Sequence, residues 1–416
     1  MRLLVYSIHC PFPANNGAKM RSAALLRALA AEKHAVTLLA FAQRNEPFDQ
    51  APLRALCDAN HLLPLELPAL SSGAAWAGRV RAFPSSIPFA IARFAVPGMR
   101  ALLARTLESA RFDAIICDTP FGAANLPATE LPLILHAHNV EHDLIRQYAG
   151  LARNPGIRAY ATLEGGRMRR WEQTIARQAA VILACSAADR SRFQRLAPNT
   201  PVVVAPNVLC LAEYTAAPVG DDRTLIYQGG MDWMPNRDAV AFFAANILPL
   251  IRRRVPQARL LAAGRTPPPR FARRWRNAAG VEFTGTLPDL RAIVAQSAVS
   301  VVPLRIGGGT RLKILEAAAL GRAIISTPLG AEGLCFTAGV DMEIAANPAA
   351  FARLATDLLL DRQRRAALGA AARRWVERSY GLRQLRDALR HAFDLIGPTT
   401  VPAAITAAAA ARAQGG

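Results

Sequence analysis

Three consecutive glycines set between an apolar run and a helix-patterned segment constrain this chain more than any other feature. They fall in VSVVPLRIGGGTRLKILEAAALGRAIISTPLG, residues 299–330. The run Val299, Val301, Val302 ends at Pro303 and the glycines follow at 307–309. Thr310 opens a segment whose Leu312, Leu315 and Ala319 recur at helical spacing, and after Gly321 a second apolar run covers Ala323–Ser326. The order is strand, glycine loop, helix, strand.

Gly308 and Gly309 let the backbone approach a bound group, and the helix that starts at Thr310 leaves its first amides unpaired. A helix terminus of this kind attracts phosphate. Arg311 offers forked hydrogen bonds to the same anion and Lys313 a point charge. Glu316, one turn further, is placed to accept hydroxyl hydrogens from a pentose. A polyol diphosphate meets both demands. The alternative, that Arg311, Lys313 and Glu316 form a solvated face with a weak Lys313–Glu316 pair, stays open on spacing alone.

The chain has 416 residues, 52% of them apolar, and a formal charge of +20. That length suits two or three domains with substantial cores. The basic excess favours anionic partners: a phosphorylated substrate, membrane headgroups or nucleic acid. Nucleic acid is disfavoured because no reader motif accompanies the charge. Cys10, Cys57, Cys117, Cys185, Cys210 and Cys335 are scattered without metal spacing, so they read as small apolar residues. No signal-peptide core forms before Pro11 and Pro13, and no apolar run reaches the roughly 18 residues that span a bilayer. A reducing cytoplasm is expected, with peripheral membrane contact open. Between 76 and 104, Arg79, Arg81, Arg93 and Arg100 alternate with Trp76, Phe83, Phe89 and Phe94, which suits an anionic interface. Helices packed on a sheet with snorkelling arginines would give the same pattern.

The amino end repeats the strand, loop, helix, strand order. Arg2–Ser7 reads as a strand, a loop ends at Gly17, a helix runs to about Ala31 and Ala35–Phe41 is the next strand. In open parallel sheets ligands bind beyond the carboxyl ends of the strands, where Gly17 and Arg21 fall. Asp113–Cys117 and Leu133–His136 continue the series. The latter runs into His136, His138, Asn139, Glu141, His142 and Asp143, the densest titratable cluster in the sequence. Its spacing matches no established zinc motif, so no metal is assigned. A further glycine loop, Gly229-Gly230, follows the strand Thr224–Tyr227 and leads past Asn236 into a helix over Arg237–Arg254. GxGxxG occurs at none of these turns, which disfavours a dinucleotide dehydrogenase.

GGGTRLKILEAAALGRAIIST resembles the donor-site segment of retaining GT-B glycosyltransferases of family four, whose pattern is E-x7-E followed by A-x-x-x-G. The resemblance implies two Rossmann-like βαβ domains facing each other across a cleft, an acceptor-side domain over 1–207 and a nucleotide-sugar domain over 223–380. It further implies a linker at 208–222 and a C-terminal helix at 381–397 that crosses back to the first domain. The Ala-rich 398–416 is expected to be a disordered tail. Glu316 matches the glutamate that holds the ribose, whereas Gly308 stands where the family has its sugar-contacting glutamate. Gly17 matches the first-loop glycine. His138, with His136 two residues away, matches the histidine that faces the transferred sugar, where a neutral imidazole can donate. Asn139 and Glu141, with Arg21, are assigned to the acceptor side. The family's basic pair near Gly230 and Asn236 is missing, and Arg311 and Lys313 are expected to replace it as the catalytic clamp. The implied reaction is metal-independent transfer of a hexosyl group to a saccharide or lipid-linked acceptor, in bacterial exopolysaccharide or glycolipid synthesis. A same-fold sugar-nucleotide epimerase and a non-catalytic anion-binding protein are the alternatives.

Overall fold

The computed structural model describes residues 1–43, 48–68, 72–276 and 280–397. The chain divides into two compact units. The first holds Met1–Ala14, Ala18–Pro206 and the residues from Leu385 onward; the second holds Asn207–Gln384 together with Asn15–Gly17.

Seven parallel strands build the first unit: β1 (Arg2–Ser7), β2 (Ala35–Gln43), β3 (Ala59–Leu65), β4 (Ala114–Asp118), β5 (Leu133–His136), β6 (Val181–Ala184) and β7 (Val202–Val204). Their order across the sheet is 3-2-1-4-5-6-7. The second unit has β8 (Asp221–Gln228), β9 (Arg259–Ala263), β10 (Val281–Phe283), β11 (Ser297–Val302), β12 (Ala323–Ser326) and β13 (Glu343–Ile344), in the order 10-9-8-11-12-13. All pairings are parallel. Central strands such as AIICD, LILH and SAVSVV are buried along their whole length. Helices cover both faces of such a sheet, so alternation is lost and the strands read as apolar runs. In each unit the order reverses beside its first strand, between β1 and β4 and between β8 and β11. These switch points open a crevice past the strand ends where ligands of open α/β sheets bind.

The structure differs from the sequence reading at several elements. Between Gln43 and Asp113, where no strand is read from the sequence, the structure has β3 and helices at Ala51–Leu56, Gly73–Ala82, Phe89–Ala92 and Pro97–Ser109. Pro64 hid β3, but the strand lies at the sheet edge, where a missing amide hydrogen is tolerated. The helix expected over Arg237–Arg254 is two, Met234–Asn246 and Leu248–Arg252. Pro249 lacks the amide hydrogen that would continue one into the other. β8 begins at Asp221, inside the stretch read as linker. The helix Leu382–Ile396 carries Arg386 and Arg390, both paired with Glu32 of the first unit, and Phe393, whose ring lies 4.9 Å from that of His34. The expected disordered tail, 398–416, lies outside the described residues.

Candidate functional site

In the second unit the switch point brings together Gln228-Gly229-Gly230 at the end of β8 and the helix Leu312–Ala319 that follows the triple glycine. Lys313 Nζ donates to Tyr227 Oη at 2.7 Å and to Asn236 Oδ1 at 3.0 Å. The amine also sits 4.0 Å from the centroid of the Tyr227 ring. Gly229 makes this possible, because a Cβ there would lie 2.8 Å from Asn236 Nδ2 and 3.0 Å from Lys313 Nζ. Gly264, at the end of β9, is bound by the same crowding: its Cβ would meet Gly229 O at 2.4 Å. Burial, reinforced by Arg311, depresses Lys313 from the usual lysine range to about 7, against the pull of Glu316.

Glu316 accepts from Tyr214 Oη at 3.2 Å through one oxygen and from Gln228 Nε2 at 2.9 Å through the other. Burial raises it to about 7 although these bonds and Lys313 favour its charge. Lys313 and Glu316 are not an ion pair among the described residues, so the solvated-face reading does not describe them. Each is hydrogen-bonded to neutral partners and partly exposed.

Arg311 is turned back into the glycine loop. Only 6% exposed, it donates to the carbonyl oxygens of Gly308 and Gly309 and, at 3.1 Å, of Leu329. The guanidinium braces the glycine loop from inside instead of reaching outward. Thr310 Oγ1 is buried without a hydrogen-bond partner, and Thr310 O accepts from Asn207 at 3.0 Å. The helix starts at Leu312, two residues later than read.

In the first unit the switch point holds a buried network centred on Asp118, the last residue of β4. Its Oδ1 accepts from His136 Nδ1 at 2.8 Å and from His138 Nε2 at 2.7 Å. Its Oδ2 accepts from Ser7 Oγ at 2.8 Å and Ser22 Oγ at 2.5 Å. Burial alone would raise this carboxyl; His138 and His136 outweigh it and hold Asp118 well below its ordinary value. Burial lowers His136 to about 3, with Arg21 adding to the shift, and lowers His9 to about 4.

Arg21, expected on the acceptor side, is 3% exposed and donates to Ala205 O at 2.9 Å and Ala137 O at 3.2 Å. It ties β5 and β7 at their carboxyl ends and is a brace. Asn139 donates to Glu141 at 3.1 Å, and burial with the nearby Glu172 raises Glu141 to about 7. Glu172 itself caps the helix Glu141–Leu151, accepting from the amides of Glu141 and His142 and from the His142 ring. Gly17 is exposed at the start of the helix Gly17–Ala31.

The sequence reading missed Asp118, Ser7, Ser22, Tyr227, Gln228 and Tyr214. Asp118 and Gln228 end strands at the switch points, a signal that strand order supplies and sequence does not. Thr119 was missed too: a β-branched residue at φ 85°, with a buried hydroxyl that has no hydrogen-bond partner. Such a conformation costs about 1–3 kcal/mol and clusters at functional sites.

Asp118, His136 and His138 present ligand atoms within 4.8 Å of one another, the chemistry of a metal set. Their geometry fits a cation poorly. Asp118 Oδ2 is already taken by the Ser7 and Ser22 hydroxyls, and the Arg21 cation acts on His136.

Two parallel-sheet units, each with polar side chains at its switch point, define a GT-B protein with Rossmann-like halves. Residues 222–361 match the family model described as glycosyl transferases group 1, and residues 16–208 match that of the glycosyl transferase 4-like domain. The chain belongs to the group 1 glycosyl transferases and is an enzyme of that class. Among solved structures it is similar to sucrose-phosphate synthase from Thermosynechococcus elongatus, at 16% identity and a TM-score of 0.69 over 94% of this chain and 98% of that one. It is similar to Anabaena HepE in complex with UDP-glucose, at 13% identity and 0.64 over 94% and 99%. TarM, whose S. aureus form is also among the matches, gives 9% and 0.67 over 95% and 99%. No curated protein gives a significant match.

Proposed function

We propose that this enzyme transfers a hexosyl group from a nucleotide sugar to a hydroxyl of a saccharide or lipid-linked acceptor, with retention of anomeric configuration and without a metal ion. The observation that carries the reading is Lys313 and Glu316 set beside Gly229 at one switch point. A diphosphate lies against the glycine loops and Lys313, and the attached ribose against Glu316. As the bond from sugar to phosphate breaks, negative charge grows on the diphosphate and Lys313 stabilises it, the kind of preorganised charge that is usually the largest catalytic term. The leaving phosphate oxygen accepts the acceptor's proton on the same face of the sugar. His138 is assigned the role that the resemblance implies for it, contact with the transferred sugar. The UDP-glucose bound to the Anabaena neighbour supports the choice of donor class.

The test is incubation with UDP-, GDP- and ADP-sugars labelled in the sugar. A new glycoside that keeps the donor's anomeric configuration is expected. An isomerised nucleotide sugar would indicate an epimerase, and bound nucleotide without product a binding protein.

We also infer that the acceptor is met at an anionic membrane surface, as in exopolysaccharide or glycolipid synthesis on the cytoplasmic face. No helix among the described residues is long and apolar enough to cross a membrane. The support is that Val80, Phe83, Leu151 and Ile157 of the first unit are exposed large hydrophobics. Arg81, Arg153, Arg158 and Arg170, on the same segments of the chain, are exposed too, while both acids of the helix Pro155–Gln178, Glu164 and Glu172, are buried. Basic and apolar side chains in one surface suit anionic headgroups. The protein should float with vesicles containing phosphatidylglycerol and not with phosphatidylcholine alone; equal flotation or none removes this part of the proposal.

A further inference from the structure

The Asp118 network contains more order than a buried acid needs. Of the four donors on Asp118, three have no path to substrate: Ser7 and Ser22 lie 1% and 2% exposed, and His136 is fully buried. His138 alone retains some exposure, at 8%. Its Nε2 is committed to Asp118 Oδ1, and among the described residues Nδ1 makes no hydrogen bond within the protein. An ionised carboxylate only accepts, so the hydrogen on that bond belongs to Nε2.

We propose that Asp118 is a positioning residue for the transfer step: by accepting the Nε2 hydrogen of His138 it fixes the tautomer and tilt of that ring, leaving Nδ1 as the atom that meets substrate. This rests on the reading that His138 touches the transferred sugar. It also changes that reading. A neutral His138 held in this way presents a lone pair at Nδ1 and accepts a sugar hydroxyl; it cannot donate, as the sequence suggested. To donate from Nδ1 the ring must carry a second proton, and Asp118 is then its counter-charge. The other ionisable groups around the pair include His136 on β5, with ring centroids 5.1 Å from His138, His9 after β1 at 6.4 Å, Lys19 and Arg21 on the helix Gly17–Ala31, and the thiols of Cys117 and Cys185. Burial holds the two neighbouring histidines neutral, and among the described residues Asp118 is the anion paired with the His138 ring. Ser7 and Ser22 fix Asp118 in turn, from β1 and its following helix, so the orientation of His138 is set by the strand pairing itself.

The experiment uses the full chain labelled with 15N-histidine and the near-isosteric Asp118→Asn. Wild type should show His138 protonated at Nε2. In Asp118→Asn the amide can also donate, so the Nε2 signature should be lost or mixed. Transfer should fall about 100-fold in kcat with KM for the donor within about twofold, since a wrong tautomer leaves binding intact and damages the chemical step. If the variant fails to fold, the wild-type spectrum still decides: a neutral His138 protonated at Nδ1 overturns the proposal. So does an Asp118→Asn enzyme with wild-type kcat, or one in which kcat and KM are unchanged while the tautomer has shifted. Full transfer by His138→Ala would overturn it through the role of His138, whereas wild type that makes no glycoside from any nucleotide sugar is the failure of the functional reading.

Discussion

Lys313→Met should lower kcat/KM for the nucleotide sugar by about 100-fold or more, the scale on which one charge-stabilising donor acts. The side chain keeps its length and apolar stem, so the fold is expected to survive and the loss to be electrostatic. The pH dependence separates this from a packing effect. Lys313 sits at about 7 in the empty protein, below its ordinary 10.5. Above about pH 7 the amine is therefore neutral, and binding a diphosphate must draw a proton onto it. Apparent donor affinity should fall by about tenfold per pH unit above 7, until the bound-state value is passed. Glu316 works on the other limb: raised to about 7, it is protonated below that pH and accepts ribose hydroxyls as a carboxylate only above it. Donor binding in wild type should thus peak near neutrality, with the alkaline limb absent in Lys313→Met and the acid limb absent in Glu316→Gln. Stability moves in a related sense. Between about pH 7 and 10.5 the unfolded chain holds a proton on Lys313 that the folded protein lacks, so this group's contribution to stability rises with pH there and is lost as pH falls through 7. The variant should be flatter over that window. A Lys313→Met enzyme with wild-type kinetics and an unchanged pH profile would remove Lys313 from the site.

Arg311→Ala should behave differently, and the contrast tests the division of labour between the two cations. The guanidinium satisfies three carbonyls, those of Gly308, Gly309 and Leu329, from a buried position. Hydrogen bonds to a charged group contribute about 1.5–3 kcal/mol each, and acceptors left unsatisfied in the interior add their desolvation penalty. A net loss of about 3 kcal/mol is expected, which lowers Tm by roughly 6–12 °C in a domain of this size. Donor affinity should fall with it, because the glycine loop loses its brace. Arg311→Lys should not restore either property, since a compact ammonium cannot span carbonyls on both sides of the loop. Differential scanning fluorimetry beside steady-state kinetics decides the matter. An Arg311→Ala protein with wild-type Tm and a 100-fold lower kcat would return Arg311 to the outward-facing clamp that the sequence suggests.

Arg311 and Lys313, read alike in the sequence, are bonded differently in the structure, for one physical reason. Residues at the start of a helix two apart point in different directions, and nothing in TRLK says which side chain turns back on the loop. Arg21 repeats the lesson, since a basic residue near a strand end reads as a ligand contact until its guanidinium is found on Ala137 O and Ala205 O. Glu316 stands out in the sequence as an acid one turn into a helix from a glycine loop, but its partners Tyr214 and Gln228 come from distant segments and show only in the structure. Asp118 was not, because its partners Ser7, Ser22, His136 and His138 are spread over 130 residues and meet only when β1, β4 and β5 pair.

The sequence alone determined the alternation of apolar runs, glycine turns and helices, and with it two parallel-sheet units and the glycine loop after β11. These follow from local chemistry, the period of burial and the freedom of glycine, which need no knowledge of distant residues. Only the tertiary structure decided that β8 lies beside β11 and β1 beside β4, and so which side chains share a switch point. Lys313 meeting Tyr227 and Asn236, and Asp118 meeting two histidines and two serines, are contacts between segments far apart in the chain. Strand order creates them, and strand order is settled by how whole layers pack.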